Sequence, residues 1–328
     1  MESNEIFKFI QKSIENVPLI LVGSGSSAPH GLPGMVELGR HLMDTLTPQY
    51  NGDINWDKFK TNIEAGQDLE TALTGITLTN QILDDIKIET WKLISSRDIG
   101  LFIKVVFGGE QLPLARLIKK LYQVHPQCLN IITTNYDRVI EYACDSAQLP
   151  VNTGFDGNYL KKFKGDFCTR NAINLIKVHG SLDVFKDSHD ATFSIPIQHE
   201  LPCGLIPEII TPGLSKYQAV LRGTSRQLLT ESDSLISKAQ SYLCIGYGFN
   251  DEQIQENIVT SIRTGKPIVV VTKNVSEHAA HLLANNAQNY VSIECGEKEE
   301  TSNFCINRNI FTLEGTYWTI DGLMKIID

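Results

Sequence analysis

Apolar residues follow two rhythms along this chain: short unbroken runs, and longer stretches with three- and four-residue spacing. Glu5 to Ile14 carries Ile6, Phe9, Ile10 and Ile14 at helical spacing and predicts an amphipathic helix. Val17 to Val22 is an unbroken run and predicts a buried strand. Val36 to Leu46 predicts a helix, with Val36, Leu38, Leu42, Met43 and Leu46 favouring one side. Asn51 to Gly66 is polar and predicts a loop with a short helix. Asp68 to Gln123 is helical in rhythm, punctuated by Gly108-Gly109 and Pro113, and reads as a helical insertion without a strand. Strands are predicted at Cys128 to Thr133, Asn174 to Val178, Tyr242 to Ile245 and Pro267 to Thr272, with Asn289 to Glu294 the last of the series. Thr301 to Asp328 is less regular, and predicts either a small hairpin with a terminal helix or a segment that packs on a partner. Strands alternating with helices imply an α/β fold, a doubly wound parallel sheet covered on both faces. The expected division is a sheet domain at 1–45 and 124–296, a helical insertion at 46–123 and a C-terminal extension at 297–328.

Composition narrows the function classes. The chain has 328 residues, enough for one large core or two modest ones. A net charge of −9 argues against non-specific binding to duplex nucleic acid, which needs a basic surface. No uninterrupted apolar run reaches the length of about eighteen residues that a membrane span needs. The start, Met-Glu-Ser-Asn-Glu, has neither the basic region nor the apolar core of an export signal, so a cytoplasmic protein is expected. The seven cysteines include no C-x-x-C pair, which predicts reduced thiols and no metal site of the common four-ligand kind.

Polar groups follow each predicted strand. After the first comes Gly23-Ser24-Gly25-Ser26-Ser27-Ala28-Pro29-His30-Gly31-Leu32-Pro33, a glycine- and serine-rich turn leading into a helix. Such a loop is either an ordinary strand-to-helix turn or a place where phosphates meet backbone amides. It departs from Gly-x-Gly-x-x-Gly at Ala28, and it has no P-loop lysine. After the second strand come Thr134, Asn135, Tyr136 and Asp137, whose amide and carboxylate suit either a ligand or helix capping. His179 ends a third apolar run, before Gly180-Ser181, which is expected to turn tightly and leave His179 at the sheet's edge. An imidazole there suits either proton transfer near neutral pH or a buried structural role. Gly246-Tyr247-Gly248-Phe249-Asn250-Asp251 follows the fourth strand and Asn274 the fifth, each either a plain turn or part of a nucleotide site. In a Rossmann-like sheet all five loops share one edge, where ligands bind.

Taken together these motifs resemble the sirtuin family. Gly23 to Pro33 is similar to its Gly-Ala-Gly-x-Ser-x-x-x-Gly-Ile-Pro signature, Thr133-Thr134-Asn135-Tyr136-Asp137 to its Thr-Gln-Asn-Ile-Asp, and His179-Gly180 to its His-Gly pair. The glycine turn at Gly246 and the strand before Asn274 are similar to its later nucleotide-binding segments. Gly34-Met35 stands where sirtuin deacylases carry Phe-Arg, and Ser181 to Lys216 holds only Cys203 where they carry four zinc cysteines, so no zinc ribbon is expected. The Thr-Thr-Asn-Tyr-Asp and Gly-Tyr-Gly-Phe forms resemble the sirtuin-like domains of bacterial anti-phage defence. That resemblance implies an NAD hydrolase that releases nicotinamide and ADP-ribose and depletes the cell's NAD. NAD is then the substrate, and no metal is implied. It assigns catalysis to Asn135 and His179, the carboxamide to Asp137, the pyrophosphate to Gly23, Ser24, Gly25 and Ser27, cofactor binding also to Gly31 and Pro33 of the same signature, and the adenosine half to Gly246, Gly248 and Asn274. A constantly active NADase would kill its own cell, so gating by homo-oligomerisation or a defence-system partner is expected. The alternatives are a sirtuin-type deacylase or ADP-ribosyl transferase, and a non-catalytic sensor of NAD or ADP-ribose.

Overall fold

The computed structural model describes residues 3–67, 69–125, 127–167, 170–211 and 223–328. Asp68, Cys168 and the stretch 212–222, all within segments discussed above, lie outside them. The chain opens with α1 (Ser3–Ser13) and β1 (Leu19–Val22), followed by α2 (Met35–Tyr50), α3 (Ile54–Glu64), α4 (Leu69–Leu73), α5 (Asn80–Gly108) and α6 (Pro113–Tyr122). Next come β2 (Leu129–Thr133), α7 (Val139–Ser146), β3 (Val151–Asn152), β4 (Phe155–Asp156), β5 (Lys161–Phe163), β6 (Ile173–Lys177), β7 (Gly180–Lys186), β8 (Thr192–Ser194) and β9 (Ile206–Ile209). The remainder is α8 (Gly223–Lys238), β10 (Tyr242–Ile245), α9 (Glu252–Arg263), β11 (Ile268–Val271), α10 (Glu277–Asn286), β12 (Tyr290–Cys295), β13 (Thr301–Ile306), β14 (Asn309–Glu314) and α11 (Ile320–Ile327).

The nine-stranded sheet runs β14-β13-β12-β11-β10-β1-β2-β6-β3. Strands β1, β2, β6, β10, β11 and β12 pair in parallel. Their apolar runs follow from burial on both faces: β1, β6, β10 and β11 are buried at every position. The chain moves outward from β1 through β2 to β6, then returns to lay β10 on the other side of β1. The sheet therefore reverses direction between β1 and β10, the place where doubly wound sheets open a crevice. One face packs on α1, α6, α7 and α11 through Ile10, Leu117, Ile140 and Leu323. The other packs on α8, α9 and α10 through Ile236, Ile258 and Leu283.

A third core lies within the helices. Leu38, Leu42 and Leu46 of α2 meet Trp56 and Phe59 of α3 and Ile82 and Ile86 of α5. From its middle turns onward α5 belongs to the sheet's core instead, through Trp91, Ile94 and Leu101. One 29-residue helix, capped by Thr79 and ended by left-handed Gly109, thus joins the two. The apolar side of α2 is narrower than the sequence predicts, since Val36 is exposed. Residues 51–66 hold a full helix rather than a short one. Asp53 caps α3 by accepting from the amides of Asn55 and Trp56, and two aromatic side chains anchor an otherwise polar stretch.

The tail takes the hairpin form. β13 and β14 pair antiparallel across Asn307-Arg308, both at positive φ as a two-residue hairpin turn requires. The sequence pattern contains no counterpart to the second sheet, five antiparallel strands in the order β4-β5-β8-β7-β9. Several of its strands have two or three residues, too short for any periodicity to register. Gly180-Ser181 is also not the expected turn. Val178 and His179 make the turn, and Gly180 begins β7. Gly180 lies at φ +85°, and a Cβ there would sit 1.9 Å from the Glu208 carbonyl oxygen, so β9's close approach explains the glycine.

One buried contact fastens α5 to the sheet. Asp98, fully buried, accepts from the Arg138 amide at 2.7 Å, the Arg138 Nε at 2.8 Å and the Tyr142 hydroxyl at 2.6 Å. Asp98→Ala leaves the Arg138 guanidinium buried without its carboxylate. The expected loss of stability is about 3–5 kcal/mol, measured by chemical denaturation. A loss below about 1 kcal/mol would show that the contact does not hold α5 in place.

Candidate active site at the reversal of the sheet

The loops after β1, β2, β6, β10 and β11 converge on one cleft of about 390 Å³, within the range of small-molecule sites. Its wall includes Gly23, Ser24, Ser27, Pro33, Asn135, Asp137, His179, Gly246 and Gly248. Gly25, Gly31 and Asn274 are not among the lining residues. Asn274 is exposed beyond β11, where Thr272 is the lining residue.

The first and fourth loops are packed backbone to backbone. The Gly23 amide donates to the Ile245 carbonyl at 3.0 Å and the Gly25 amide to the Gly246 carbonyl at 3.1 Å. A Cβ on Gly23 would lie 2.4 Å from the Gly246 oxygen, and one on Gly25 2.8 Å from the Gly246 Cα. A Cβ on Gly246 would lie 2.3 Å from the Ser26 nitrogen, at a residue with φ +56°. These glycines let two loops touch. Two amides that a phosphate cradle would use are already engaged in that contact, so this loop's remaining polar offer to the cleft lies in Ser24 and Ser27.

The second loop is held by its neighbours on three sides. Thr133 Oγ1 donates to the Val22 carbonyl at 2.8 Å and accepts from the Asn135 amide at 3.0 Å. Asn135 Nδ2 donates to Ser27 Oγ at 3.2 Å, which leaves Asn135 Oδ1 as the acceptor for a ligand hydroxyl or water. Asp137 is buried, lies on the cleft wall and also accepts from the amide of Val139, the first residue of α7, at 3.2 Å. Burial pushes its carboxyl above the usual carboxylate range, with the Lys177 ammonium and the Ser27 hydroxyl opposing. Beneath the loop, buried Lys177 donates to the carbonyls of Tyr136, at 3.2 Å, and Asp137, and pairs with Glu141 at 2.8 Å.

The third and fourth loops meet through Asp251, a residue to which the sequence motifs assign no role. His179 Nε2 lies 2.6 Å from Asp251 Oδ2, with side chains only 11% and 8% exposed. Asp251 Oδ1 accepts from the Ile254 amide at 3.0 Å and caps α9. The only local signal for Asp251 is an aspartate three residues before a buried isoleucine, which is what any helix cap looks like. Tyr247, on the cleft wall, is buried against Phe249 with ring centroids 5.0 Å apart. Its hydroxyl has no hydrogen-bond partner among the described residues, and burial pushes it well above the usual tyrosine range.

The class is thus an α/β protein whose cleft sits at the reversal of a doubly wound sheet. Residues 129–291 match the SIR2-like domain, so that span carries a SIR2-like domain within the Rossmann-like sheet described above. The matched span holds Asn135, Asp137, His179, Gly246 and Asp251, while the Gly23–Pro33 loop precedes it. No curated protein matches the chain. Among solved structures, one described as "The Structural basis of Sirtuin Substrate Affinity" is similar at 15% identity, covering 88% of this chain and 93% of that one, with a TM-score of 0.44. "Sir2 bound to acetylated peptide" is similar at 15% identity, 88% and 92% coverage and a TM-score of 0.44. "Sir2-p53 peptide-NAD+" is similar at 15% identity, 88% and 92% coverage and a TM-score of 0.43.

The glycine packing is testable by one contrast. Gly246→Ala combines positive φ with a backbone overlap and should cost more than the ~1–2 kcal/mol of the left-handed conformation alone. Gly248→Ala meets only the Asn250 side chain, at 3.5 Å, and should be close to neutral. Equal stability of the two variants in thermal denaturation would overturn this account of the loop contact.

Proposed function

We propose that this protein hydrolyses the nicotinamide–ribose bond of NAD, releasing nicotinamide and ADP-ribose. The observation that carries the reading is the shared cleft. Asn135 and His179, from loops after different strands, line the same wall as Asp137 and the first glycine turn. In this reading Ser24 and Ser27 face the pyrophosphate beside Gly23, Asp137 takes the carboxamide, and Gly246 and Gly248 flank the adenosine half. Gly25 and Gly31 act through loop shape rather than contact, and Asn274 reaches the ribose only from outside the cleft wall.

The chemistry balances without a further reactant. The glycosidic C–N bond breaks with its electron pair going to the nicotinamide ring, which becomes neutral. A water oxygen bonds to the anomeric carbon of the oxocarbenium-like ribose. Asn135 Oδ1 accepts from that water or a ribose hydroxyl and orients it. His179 takes the proton that the attacking group gives up. Removal of such an acid–base group typically costs about 10²–10⁴ in rate. His179→Ala and Asn135→Ala should therefore fold normally and lose nicotinamide release by at least about a hundredfold. Wild-type rates in both would refute the assignment. Nicotinamide release that requires an acetylated peptide would favour acyl or ADP-ribosyl transfer instead.

The resemblance to anti-phage domains supports a role in depleting cellular NAD in the cytoplasm. Such an enzyme must be gated, and we place the gate in assembly, through copies of this chain or a defence-system partner. Full activity from a monomer alone, established by sizing and assay of the same sample, would overturn the gating proposal.

A further inference from the structure

We propose that Asp251 is the positioning residue for His179, and that it makes Nδ1 of the imidazole the proton acceptor. The reaction it serves rests on the hydrolase reading above, while the pairing rests on geometry alone. The two oxygens of Asp251 have separate partners. Oδ1 accepts from the Ile254 amide at 3.0 Å, and Oδ2 lies 2.6 Å from His179 Nε2. The first contact fixes the carboxylate at the N-terminus of the twelve-residue helix α9, where a negative charge is favoured. An ionised carboxylate only accepts, so the ring nitrogen facing it carries the proton. Nε2 is then N–H, and Nδ1 holds the lone pair.

That arrangement does two things for a base. It sets one tautomer and one ring orientation before substrate arrives. It also places a negative charge beside the imidazolium that forms when Nδ1 takes a proton from water or a ribose hydroxyl. Asp251 stays ionised throughout, and the proton later leaves from Nδ1. The rival account is that Asp251 only caps α9. The two accounts part on substitution, because asparagine and serine cap helices about as well as aspartate. In Asp251→Asn the side-chain amide would turn its donor toward Nε2 and invert the tautomer, as the equivalent change does in a serine-protease triad. Asp251→Ser would leave Nε2 without a carboxylate.

The experiment combines kinetics with a direct reading of the ring. Asp251→Asn and Asp251→Ser are compared with wild type by melting temperature, by KM and kcat for NAD under conditions where wild type turns over, and by the nitrogen NMR shifts of the His179 imidazole in mildly alkaline buffer. The expected result is an unchanged melting temperature, KM within a few-fold, and kcat lower by about 10²–10⁴. The ring should be Nε2–H in wild type and Nδ1–H in Asp251→Asn. Wild-type kcat in both variants, or Nδ1–H in the wild-type protein, would overturn the proposal. A wild-type protein without NAD hydrolysis would sink the functional reading, and the NMR result alone would then decide the pairing.

Discussion

Everything in this molecule is arranged around a contact that has no side chains in it. Where the strand order reverses between β1 and β10, the backbones of residues 23–25 and 245–246 touch, with amide-to-carbonyl bonds of 3.0 and 3.1 Å. Cβ atoms at Gly23, Gly25 or Gly246 would overlap main-chain atoms of the opposite loop at 2.3–2.8 Å. Backbone cannot yield to such an overlap as a flexible side-chain tip can. The contact sets how far apart the two halves of the doubly wound sheet stand at their carboxyl ends, and so how wide the cleft above them is. Ser27, a few residues along one loop, and Asp251, a few along the other, then reach sideways to Asn135 and His179.

The other two loops are fixed from beneath by buried charge. Asp98 holds the chain at Arg138, and Lys177 holds the carbonyls just before it. Lys177 is also the main influence offsetting burial at Glu141 and Asp183. Glu141 nevertheless stays above the usual carboxylate range, because burial dominates there. Asp183 falls below it, because the hydroxyls of Ser181 and Ser194 add to the pull of Lys177. A single ammonium on the last residue of β6 thus supports both the Asn135 loop and the start of the second sheet. Buried ion pairs of this kind contribute little net stability. Their effect here is to hold the loop in one position, with the Asp98 carboxylate against Arg138 and the Lys177 ammonium against the Tyr136 and Asp137 carbonyls.

The fold was legible where burial writes itself as hydrophobic rhythm. The strand at Tyr242–Ile245 is read to the residue, and the other central parallel strands differ at their ends by a residue or two. Helix α3 was less visible because its packing rests on few apolar residues, the buried Trp56 and Phe59 and the half-buried Ile63. The second sheet was invisible because strands such as Phe155–Asp156 exist only through distant partners. Asn135 and His179 stood out only through the resemblance of their motifs to sirtuin signatures, since each taken alone suits a cap or a buried structural role as well. Asp251 did not, since its partner is 72 residues away and its local pattern is that of a cap. Gly25 shows the converse. Its motif is visible in sequence, but the motif's visible purpose, approach to a ligand, differs from the contact that the structure shows.

His179 stands where the two sheets meet. It sits on the two-residue turn between β6, in the large sheet, and β7, in the small one. That turn is one of the chain connections between the two sheets, beside the short link from β3 to β4. It is held in place, because β9 runs against the Gly180 backbone and the Ile210 amide donates to the His179 carbonyl at 2.8 Å. Tyr136, in the Asn135 loop, donates its hydroxyl to the Ile210 carbonyl. The same short segment of chain therefore holds the backbone of one proposed catalytic residue and the neighbour of the other. The positions of the two residues are thus coupled through Ile210, at the junction of the two sheets.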